Sequence, residues 1–438
     1  GDGFGNLSLV DPNFLSAEII FDRILRAYPQ YPFTVSVITS EIDMDYFGSL
    51  RKRKTAQRIF NLDNVEAASH TFSHPIVWNT SLISGQALTE YTKAFSDKTP
   101  SNGALLAYSI PGYVYNPARE IVFSSKYIQD KLLPAGKECR VLQWSGNCLP
   151  DEKALRTCSE SGILNLNGGD SRFDGIYPSY MHLSPLYRQV GPYYQVFSSN
   201  SNENLYTYLW TRDFGRYQNV IQTYKNTESP RRVSPINVYY HFYSGERPAS
   251  VYALKTIYDW VGAQPVIPVY ASRYVKTVNG FISTRIEKNG ENGWTVSGYG
   301  DCRTMRFDNC LLYPDLKSSA GVLGFRHYQG GLYIFLDQRE NSRIVLTPEK
   351  PGSAYLYESD AELTNLAGTI GKEWNFDSFC HAKGDYVWLN LPANRLYRIT
   401  AYNGSRRTSI DRVSGSGGRL DFRIPLNGRS KITVSAVR

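Results

Sequence analysis

Long apolar runs and paired cysteines are both missing from this sequence. No stretch approaches the roughly 18 consecutive apolar residues of a transmembrane helix, so no part of the 438 residues is predicted to span a membrane. The six cysteines show none of the CxxC pairs that structural zinc prefers. Disulfides in an oxidising compartment are therefore expected, and we predict one between Cys302 and Cys310, which flank a short strand-rich stretch.

Concentrated positive charge is also scarce, although the net charge is +8. The basic residues are scattered, and "RKRK" at 51–54 is the one tight cluster, which we interpret as the exposed face of a helix. No nucleic-acid recognition module accompanies the charge, so a nucleic-acid partner is not expected. Aromatic residues are abundant instead, with 33 Tyr and 7 Trp, and this favours surfaces that stack against flat rings such as sugars.

The length predicts more than one domain, because 438 residues exceed what a single hydrophobic core usually serves. Up to residue 275, β-branched runs alternate with helical patterns, which predicts an α/β domain over 1–275. Beyond it, short alternating segments separated by Gly, Asn, Pro and Asp predict a β-sandwich over 285–438, one that could bind carbohydrate. The predicted strands of the first domain are 33–39, 65–69, 139–144, 163–167, 236–243 and 266–272, and its predicted helices are 51–62, 119–133, 151–161, 216–226 and 248–263.

Polar residues gather where these predicted strands end. His70 closes one strand and His74 follows it, while Asp170 and His241 lie at the ends of two later strands. In α/β barrels the groups that do chemistry lie at this edge, because the loops after the strands converge there. The first domain is therefore predicted to be a barrel with its site at the carboxyl ends of the strands.

The segment "SHTFSHP" at 69–75 places His70 and His74 four residues apart. Two such histidines alone are weak evidence for a metal, since they often serve as satisfied groups in a core. The acidic "GDGF" at the start of the chain adds Asp2. Three nitrogen and oxygen ligands with a position left for water are typical of a catalytic zinc site, so these residues are candidate metal ligands.

These segments resemble NodB-like polysaccharide deacetylases, and more specifically the PelA-type deacetylases among them. "SHTFSHP" is similar to the second motif of the family, and "GDGF" to the end of its Asp-bearing first motif. "SIPGY", "NGGD", "NENLYT", "YYHFYS" and "YDWVGAQPVIPVYAS" resemble PelA-type segments as well. The resemblance covers most of 1–275 and implies a distorted (β/α) barrel of NodB type.

The resemblance also implies roles for single residues. Asp2, His70 and His74 would hold one divalent metal ion, with zinc expected, and His241 would be the general acid. Asp170 falls in the fourth motif and is a candidate catalytic residue. Two departures stand out. The third motif lacks the family's Arg, and the Asp that serves as general base would immediately precede Gly1, so the chain is expected to be part of a longer protein.

Aromatic residues near the same edge have two interpretations. Tyr113, Trp144 and Tyr240 are candidates for stacking on sugar rings, with Tyr239 beside them, yet aromatic residues in strands are as often part of the core.

The expected activity is metal-dependent removal of N-acetyl groups from a secreted N-acetylhexosamine exopolysaccharide, such as a biofilm matrix polymer. The expected partners are that polysaccharide and proteins of an exopolysaccharide secretion machinery, in the periplasm or outside the cell. A catalytically degenerate carbohydrate-binding or scaffold module is the alternative, and metal content with acetate release would separate the two. Glycosidase action ranks last, because Glu203, Glu246 and Asp170 show no pairing in the sequence.

Overall fold

The computed structural model describes residues 1–82, 99–381, 383–425 and 427–437. The chain divides into two compact units. One, the N-terminal unit, comprises Gly1–Val266 and Tyr270–Val275, and the other, the C-terminal unit, comprises Ile267–Val269 and Lys276–Arg438. Within the described ranges, no helix is long and apolar enough to cross a membrane.

The first part of the chain mixes short strands with helices, as the alternation of patterns predicts. Its strands are β1 (Phe33–Val37), β2 (Val65–Ser69), β3 (Pro75–Val77), β4 (Thr99–Ser101), β5 (Ala104–Leu106), β6 (Cys139–Gln143), β7 (Leu164–Leu166), β8 (Tyr187–Val190) and β9 (Tyr193–Val196). The α-helices are α1 (Ser16–Ile20), α2 (Thr39–Ile42), α3 (Leu50–Phe60), α4 (Ser124–Lys131), α5 (Glu152–Glu160), α6 (Val220–Asn226), α7 (Pro248–Gly262) and α8 (Ala271–Ser283). π-Helical turns lie at Phe21–Leu25 and Arg119–Phe123, and 3-10 turns at Thr80–Leu82, Tyr180–His182, Glu203–Leu205, Phe214–Asn219 and Phe242–Gly245.

A parallel sheet of four strands, in the order β1-β2-β6-β7, forms the centre of the N-terminal unit. Its registers pair Val37 with Ser69, Ser69 with Leu142 and Gln143 with Leu166, so the carboxyl ends of the strands meet at one edge. The sheet is covered by buried apolar side chains on both faces, as is typical of parallel sheets. The α/β class is confirmed, whereas closure into a barrel is not.

Two of the predicted strands are wrong. Residues 236–241 belong to no strand or helix, and side chains bind several of their peptide groups. Tyr224 donates its hydroxyl to the carbonyl of Asn237 at 2.8 Å, and Tyr217 donates to that of Tyr239 at 2.6 Å. The peptide N–H of His241 is bound by the Glu203 carboxylate at 2.7 Å. Because these peptide groups already have hydrogen-bond partners, few remain to pair with a neighbouring strand.

The predicted strand 266–272 is likewise not a strand, since α8 begins inside it at Ala271. The first turn of this helix is satisfied by side chains of the parallel sheet. The N–H of Ala271 donates to Thr34 Oγ1 at 2.9 Å, and that of Ser272 donates to Glu66 Oε2 at 3.2 Å. Thr34 and Glu66 face each other across β1 and β2, so the sheet caps a helix here rather than gaining a strand.

The C-terminal unit is rich in strands, as predicted. They are β10 (Arg285–Lys288), β11 (Gly293–Ser297), β12 (Thr304–Asp308), β13 (Tyr313–Pro314), β14 (Val322–Tyr328), β15 (Gly331–Leu336), β16 (Asn341–Thr347), β17 (Tyr355–Ser359), β18 (Glu362–Thr369), β19 (Glu373–Cys380), β20 (Gly384–Leu389), β21 (Leu396–Asn403), β22 (Arg406–Val413), β23 (Leu420–Ile424) and β24 (Gly428–Ala436). They form sheets in the orders β10-β11-β16-β13, β12-β15-β14-β17-β20-β23 and β18-β19-β24-β21-β22.

The six-stranded and five-stranded sheets of this unit share one apolar core. Trp388 of β20 meets Trp374 of β19 with ring centroids 5.5 Å apart, and Phe376 packs against Tyr386 at 5.5 Å. Alternate residues of β19 are buried, which is the period expected of a strand with one face in a core.

The predicted disulfide between Cys302 and Cys310 is wrong, because both are free thiols. They lie on either side of the single strand β12 rather than on two neighbouring strands. At ~3.3 Å per residue, an extended strand of this length separates its ends far beyond the roughly 4.4–6.8 Å that a disulfide allows.

Candidate metal centre

Asp2, His70 and His74 come together at the carboxyl edge of the parallel sheet. Each offers one ligand atom, and these atoms lie within 4.8 Å of one another. His70 directly follows β2, and His74 directly precedes β3. Both imidazoles are buried, whereas 30% of the Asp2 side chain is exposed. The site is therefore closed on the histidine side and open beside the carboxylate.

His74 and Asp2 are in direct contact. His74 Nε2 lies 2.8 Å from Asp2 Oδ1, and His74 Nδ1 is buried without a hydrogen-bond partner in the described part of the chain. With His70 beside them, the ligand atoms are close enough together to suit a bound cation. Two imidazole nitrogens and one carboxylate oxygen form a donor set that fits zinc.

The neighbouring ligand is fixed by the backbone of the next strand. His70 Nδ1 lies 2.8 Å from the carbonyl oxygen of Gln143, the last residue of β6. A carbonyl can only accept, so Nδ1 carries the proton and Nε2 keeps the lone pair that binds a metal. An imidazole whose second nitrogen donates to a carbonyl is the usual support of a histidine ligand.

The protonation states of two of these ligands also suit a metal. Burial lowers the pKa of His70 well below its usual value, so the ring stays neutral. Burial alone would raise the pKa of Asp2, but the neighbouring His74 lowers it well below its usual range. Metal ligands must be deprotonated, and Asp2 and His70 are so over the physiological range.

The segment between the two histidines is held by a buried carboxylate that the sequence did not point to. Glu120 lies in the π-helical turn Arg119–Phe123 and is fully buried. Its Oε2 accepts the peptide N–H groups of Phe72 and Ser73, each at 2.9 Å. Its Oε1 accepts the hydroxyls of Ser73 and Tyr113, each at 2.6 Å. We call Glu120 with these four hydrogen bonds the Glu120 clasp.

The clasp acts on a strained stretch of backbone. Thr71 and His74 both have positive φ angles, 76° and 55°, which residues with a Cβ seldom adopt. The hydroxyl of Thr71 accepts the peptide N–H of His74 at 3.0 Å, which closes the turn between them. A strained backbone persists only where surrounding contacts hold it, and the four hydrogen bonds of the clasp hold this one.

His241 lies beside the three ligands but outside their cluster. Its Nε2 is 3.7 Å from Asp2 Oδ2, and its Nδ1 is 2.7 Å from the hydroxyl oxygen of Tyr243. Tyr243 donates its own proton to Asn204 Oδ1 at 3.0 Å, so its oxygen accepts from the Nδ1–H of His241. Nδ1 is therefore protonated, and Nε2 is directed toward the candidate metal centre.

Glu203 is the carboxylate that supports His241. It is fully buried, and its Oε1 accepts the His241 peptide N–H at 2.7 Å and the Ser244 hydroxyl at 2.9 Å. The same oxygen lies 3.2 Å from His241 Nδ1, while Oε2 has no hydrogen-bond partner among the described residues. The Glu203 carboxylate thus holds both the backbone and the imidazole of His241 in place. The sequence pattern had suggested Glu203 only as a possible glycosidase carboxylate.

The three aromatic residues predicted to stack on sugars make contacts within the protein. Trp144 is fully buried against Trp78, at 4.7 Å between ring centroids, so it has no free face for a sugar. Tyr113 uses its hydroxyl in the Glu120 clasp. Tyr240 packs against Tyr258 in the core.

Asp170 is exposed and forms a backbone bridge with Asn200. Tyr239 is closer to the centre, with its hydroxyl 3.5 Å from His241 Nε2 and held by Asn167 at 2.9 Å. The sequence could have placed Tyr239 here, because it lies two residues before His241 in the predicted strand, and alternate side chains of a strand share a face.

No protein-family model and no curated protein matches this chain.

Proposed function

We propose that this protein is a metal-dependent hydrolase that removes N-acetyl groups from an N-acetylhexosamine polysaccharide. The observation that carries the proposal is the cluster of Asp2, His70 and His74, whose ligand atoms lie within 4.8 Å of one another. Two imidazoles and a carboxylate this close together form the donor set of a catalytic zinc site. The resemblance of "SHTFSHP" and "GDGF" to deacetylase motifs supplies the class of substrate.

Asp2, His70 and His74 would hold the divalent ion, with zinc as the proposed metal. Such an ion polarises a carbonyl oxygen and lowers the pKa of a bound water to about 7. The exposed side of Asp2 leaves an approach for the N-acetyl group of a sugar. Hydrolysis adds water to the acetyl carbon, breaks the carbon–nitrogen bond and requires a proton on the departing amine.

His241 is the proposed donor of that proton. Its Nε2 is directed to the edge of the centre, while Nδ1 is held by Tyr243 and lies near the Glu203 carboxylate. With a proton on each ring nitrogen, His241 can pass its Nε2–H to the amine as the carbon–nitrogen bond breaks. Glu203, which holds the backbone and the ring of His241, is the proposed positioning residue for this general acid.

The general base is proposed to be the carboxylate that the resemblance places immediately before Gly1. A Cβ atom built on Gly1 would lie 3.1 Å from the Cβ of His70, so this end of the chain adjoins the metal ligands. We also propose that the four parallel strands belong to a distorted (β/α) barrel of NodB type followed by a β-sandwich. A periplasmic or secreted location and contacts with exopolysaccharide secretion proteins are parts of the same proposal.

The test combines metal content with acetate release. Zinc bound per chain is measured by elemental analysis, and acetate is measured after incubation with an N-acetylglucosamine hexamer, using the chain extended by an Asp before Gly1. His74→Ala should lose both metal and acetate release. His182→Ala is the matched control, because His182 is exposed and lies outside the cluster.

If His74→Ala binds as much zinc per chain as the unchanged protein, the proposed metal site is wrong. Zinc bound with no acetate released would instead support the alternative of a carbohydrate-binding or scaffold module.

A further inference from the structure

Asn167 places a side-chain amide at the carboxyl edge of the parallel sheet. It directly follows β7 and is buried. Its φ angle is 113°, which a residue with a Cβ seldom adopts. Its Nδ2 donates to the carbonyl oxygen of Trp144 at 2.8 Å. Because a carbonyl can only accept, this contact determines which end of the Asn167 amide carries the nitrogen.

The same nitrogen determines the direction of the Tyr239 hydroxyl. Asn167 Nδ2 lies 2.9 Å from the hydroxyl oxygen of Tyr239, and an amide nitrogen can only donate. The oxygen of Tyr239 is therefore the acceptor, and its own proton points to another group. Burial is the main cause that raises the pKa of Tyr239 well above its usual value, so the hydroxyl keeps this proton at neutral pH.

This proton lacks a well-placed acceptor among the described residues. The hydroxyl of Tyr239 has one other hydrogen-bond contact there, with His241 Nε2 at 3.5 Å, which is longer than the ~2.7–3.2 Å of an ordinary hydrogen bond. The backbone of Tyr239 is held separately, since its carbonyl accepts the Tyr217 hydroxyl at 2.6 Å and its N–H donates to the Asn237 carbonyl at 3.0 Å. The hydroxyl is thus a fixed donor that a bound ligand can use.

The donor lies beside the candidate metal centre. The adjacent Nε2 of His241 is 3.7 Å from Asp2 Oδ2. The Tyr239 hydroxyl and a protonated His241 Nε2 therefore form a pair of donors 3.5 Å apart at this edge. The oxygen and the nitrogen of one amide group are about 2.3 Å apart, given standard bond lengths and angles. Each of these two amide atoms can therefore meet one donor of the pair.

We propose that Tyr239 is a catalytic residue, whose hydroxyl donates a hydrogen bond to the carbonyl oxygen of the acetyl group as negative charge develops there. The inference rests on the proposed function for the identity of the substrate. When the oxygen of water bonds to the acetyl carbon, its proton passes to the general base and an electron pair of the carbonyl bond moves to the oxygen. Tyr239 keeps its O–H bond throughout, so it stabilises the charge without transferring a proton.

Tyr239→Phe removes the hydroxyl and keeps the ring. The probe is acetohydroxamate, whose anionic oxygen resembles the charged carbonyl oxygen, and its affinity for the zinc-loaded chain is measured by titration calorimetry. Because hydrogen bonds to charged groups are strong, the affinity should fall roughly ten- to hundredfold in the variant. Zinc content and melting temperature should stay nearly unchanged, since Asn167 Nδ2 keeps its hydrogen bond to the Trp144 carbonyl.

Tyr240→Phe is the matched control, because it removes the same hydroxyl from the neighbouring residue, which packs against Tyr258 in the core. It should leave the acetohydroxamate affinity unchanged. In the chain extended by an Asp before Gly1, Tyr239→Phe should lower kcat for acetate release by about 10²–10³-fold with little change in KM. This is the usual effect of removing one donor to a developing oxyanion.

An acetohydroxamate affinity that survives in Tyr239→Phe would overturn the inference, even if acetate release falls, because Tyr239 would then act only by positioning His241. An equal loss in Tyr240→Phe, or no acetohydroxamate binding by the unchanged zinc-loaded chain, would overturn it as well. If the affinity depends on the Tyr239 hydroxyl but the extended chain releases no acetate from the N-acetylglucosamine hexamer, the contact of Tyr239 stands and the proposed hydrolysis fails.

Discussion

Replacing Glu120 with alanine should release the segment that carries both histidine ligands. The change removes the acceptor of three buried donors, namely the peptide N–H groups of Phe72 and Ser73 and the hydroxyl of Ser73, and of the partly buried hydroxyl of Tyr113. Each buried group left without a partner costs about 1–3 kcal/mol. Water entering the vacated space restores part of this, so we expect a loss of ~4 kcal/mol in the free energy of unfolding.

The loss is large relative to the ~5–15 kcal/mol by which folded proteins are usually stable. It should lower the melting temperature by roughly 10 °C, given about 2–4 °C per kcal/mol for a unit of this size. Zinc affinity should fall by about 10–100-fold, the usual effect of removing a group that orients metal ligands. Calorimetry gives the first quantity and competition with a chelating dye gives the second.

Glu120→Gln is the matched variant, because it keeps the shape and can keep the hydrogen bonds. Its amide oxygen can accept the two peptide N–H groups, while its amide nitrogen donates to the hydroxyl of Ser73, which turns to accept. We expect a loss of only ~1 kcal/mol and nearly unchanged zinc affinity. If alanine leaves both quantities unchanged, or if glutamine is as damaging as alanine, the clasp does not hold the ligands through these hydrogen bonds.

Three further predictions concern Glu203, the cysteine thiols and His381. Glu203→Gln should keep zinc but slow acetate release by roughly 10²–10⁴-fold, as His241→Ala should, because both remove the supported proton donor; unchanged rates in the zinc-loaded variants would refute this role. Alkylation of the folded, unreduced chain should label Cys302 and Cys310 but not Cys139, because Cys139 is buried and burial raises its pKa to about 12. Mass spectrometry of the peptides shows which cysteines are labelled. Burial lowers the pKa of His381 from 6.5 to about 4, so the unfolded chain binds a proton more readily than the folded one in this range. His381 therefore stabilises the fold above pH 6.5, and this contribution is lost as the pH falls toward 4. In His381→Gln the melting temperature should fall less steeply between these pH values than in the unchanged chain, as calorimetry at a series of pH values would show.

The sequence predicted the parallel sheet because its strands carry local signals. β1 and β2 are short β-branched or small-residue runs bounded by turns, and the observed Val65–Ser69 has the predicted bounds. The strand-end position and the four-residue spacing made His70 and His74 candidate ligands, and the acidic "GDGF", with its resemblance to the first motif of the deacetylases, added Asp2; the three lie together in the structure. The histidines needed only local signals, whereas Asp2 needed the resemblance as well.

Other features depended on contacts that a linear pattern does not contain. The run around His241 reads as a strand, but hydroxyls from Tyr217 and Tyr224 and the Glu203 carboxylate occupy its peptide groups. Glu120 acts on residues 47 and 48 positions earlier in the chain, and no motif marks it. Trp144 illustrates the same difficulty, because an aromatic residue in a strand suits both a core and a sugar surface until its neighbours are known.

The buried polar atoms that remain unpaired indicate where this fold sacrifices stability. His74, Glu203 and Glu41 each leave a buried side-chain atom without a hydrogen bond among the described residues. Glu41 lies in α2, directly after β1, and its other oxygen accepts the peptide N–H of Gly5 at 2.9 Å, which holds the turn that carries Asp2. Each unpaired buried atom costs about 1–3 kcal/mol. A ligand that satisfies such atoms would return part of this free energy, so zinc binding at the candidate metal centre should stabilise the folded chain.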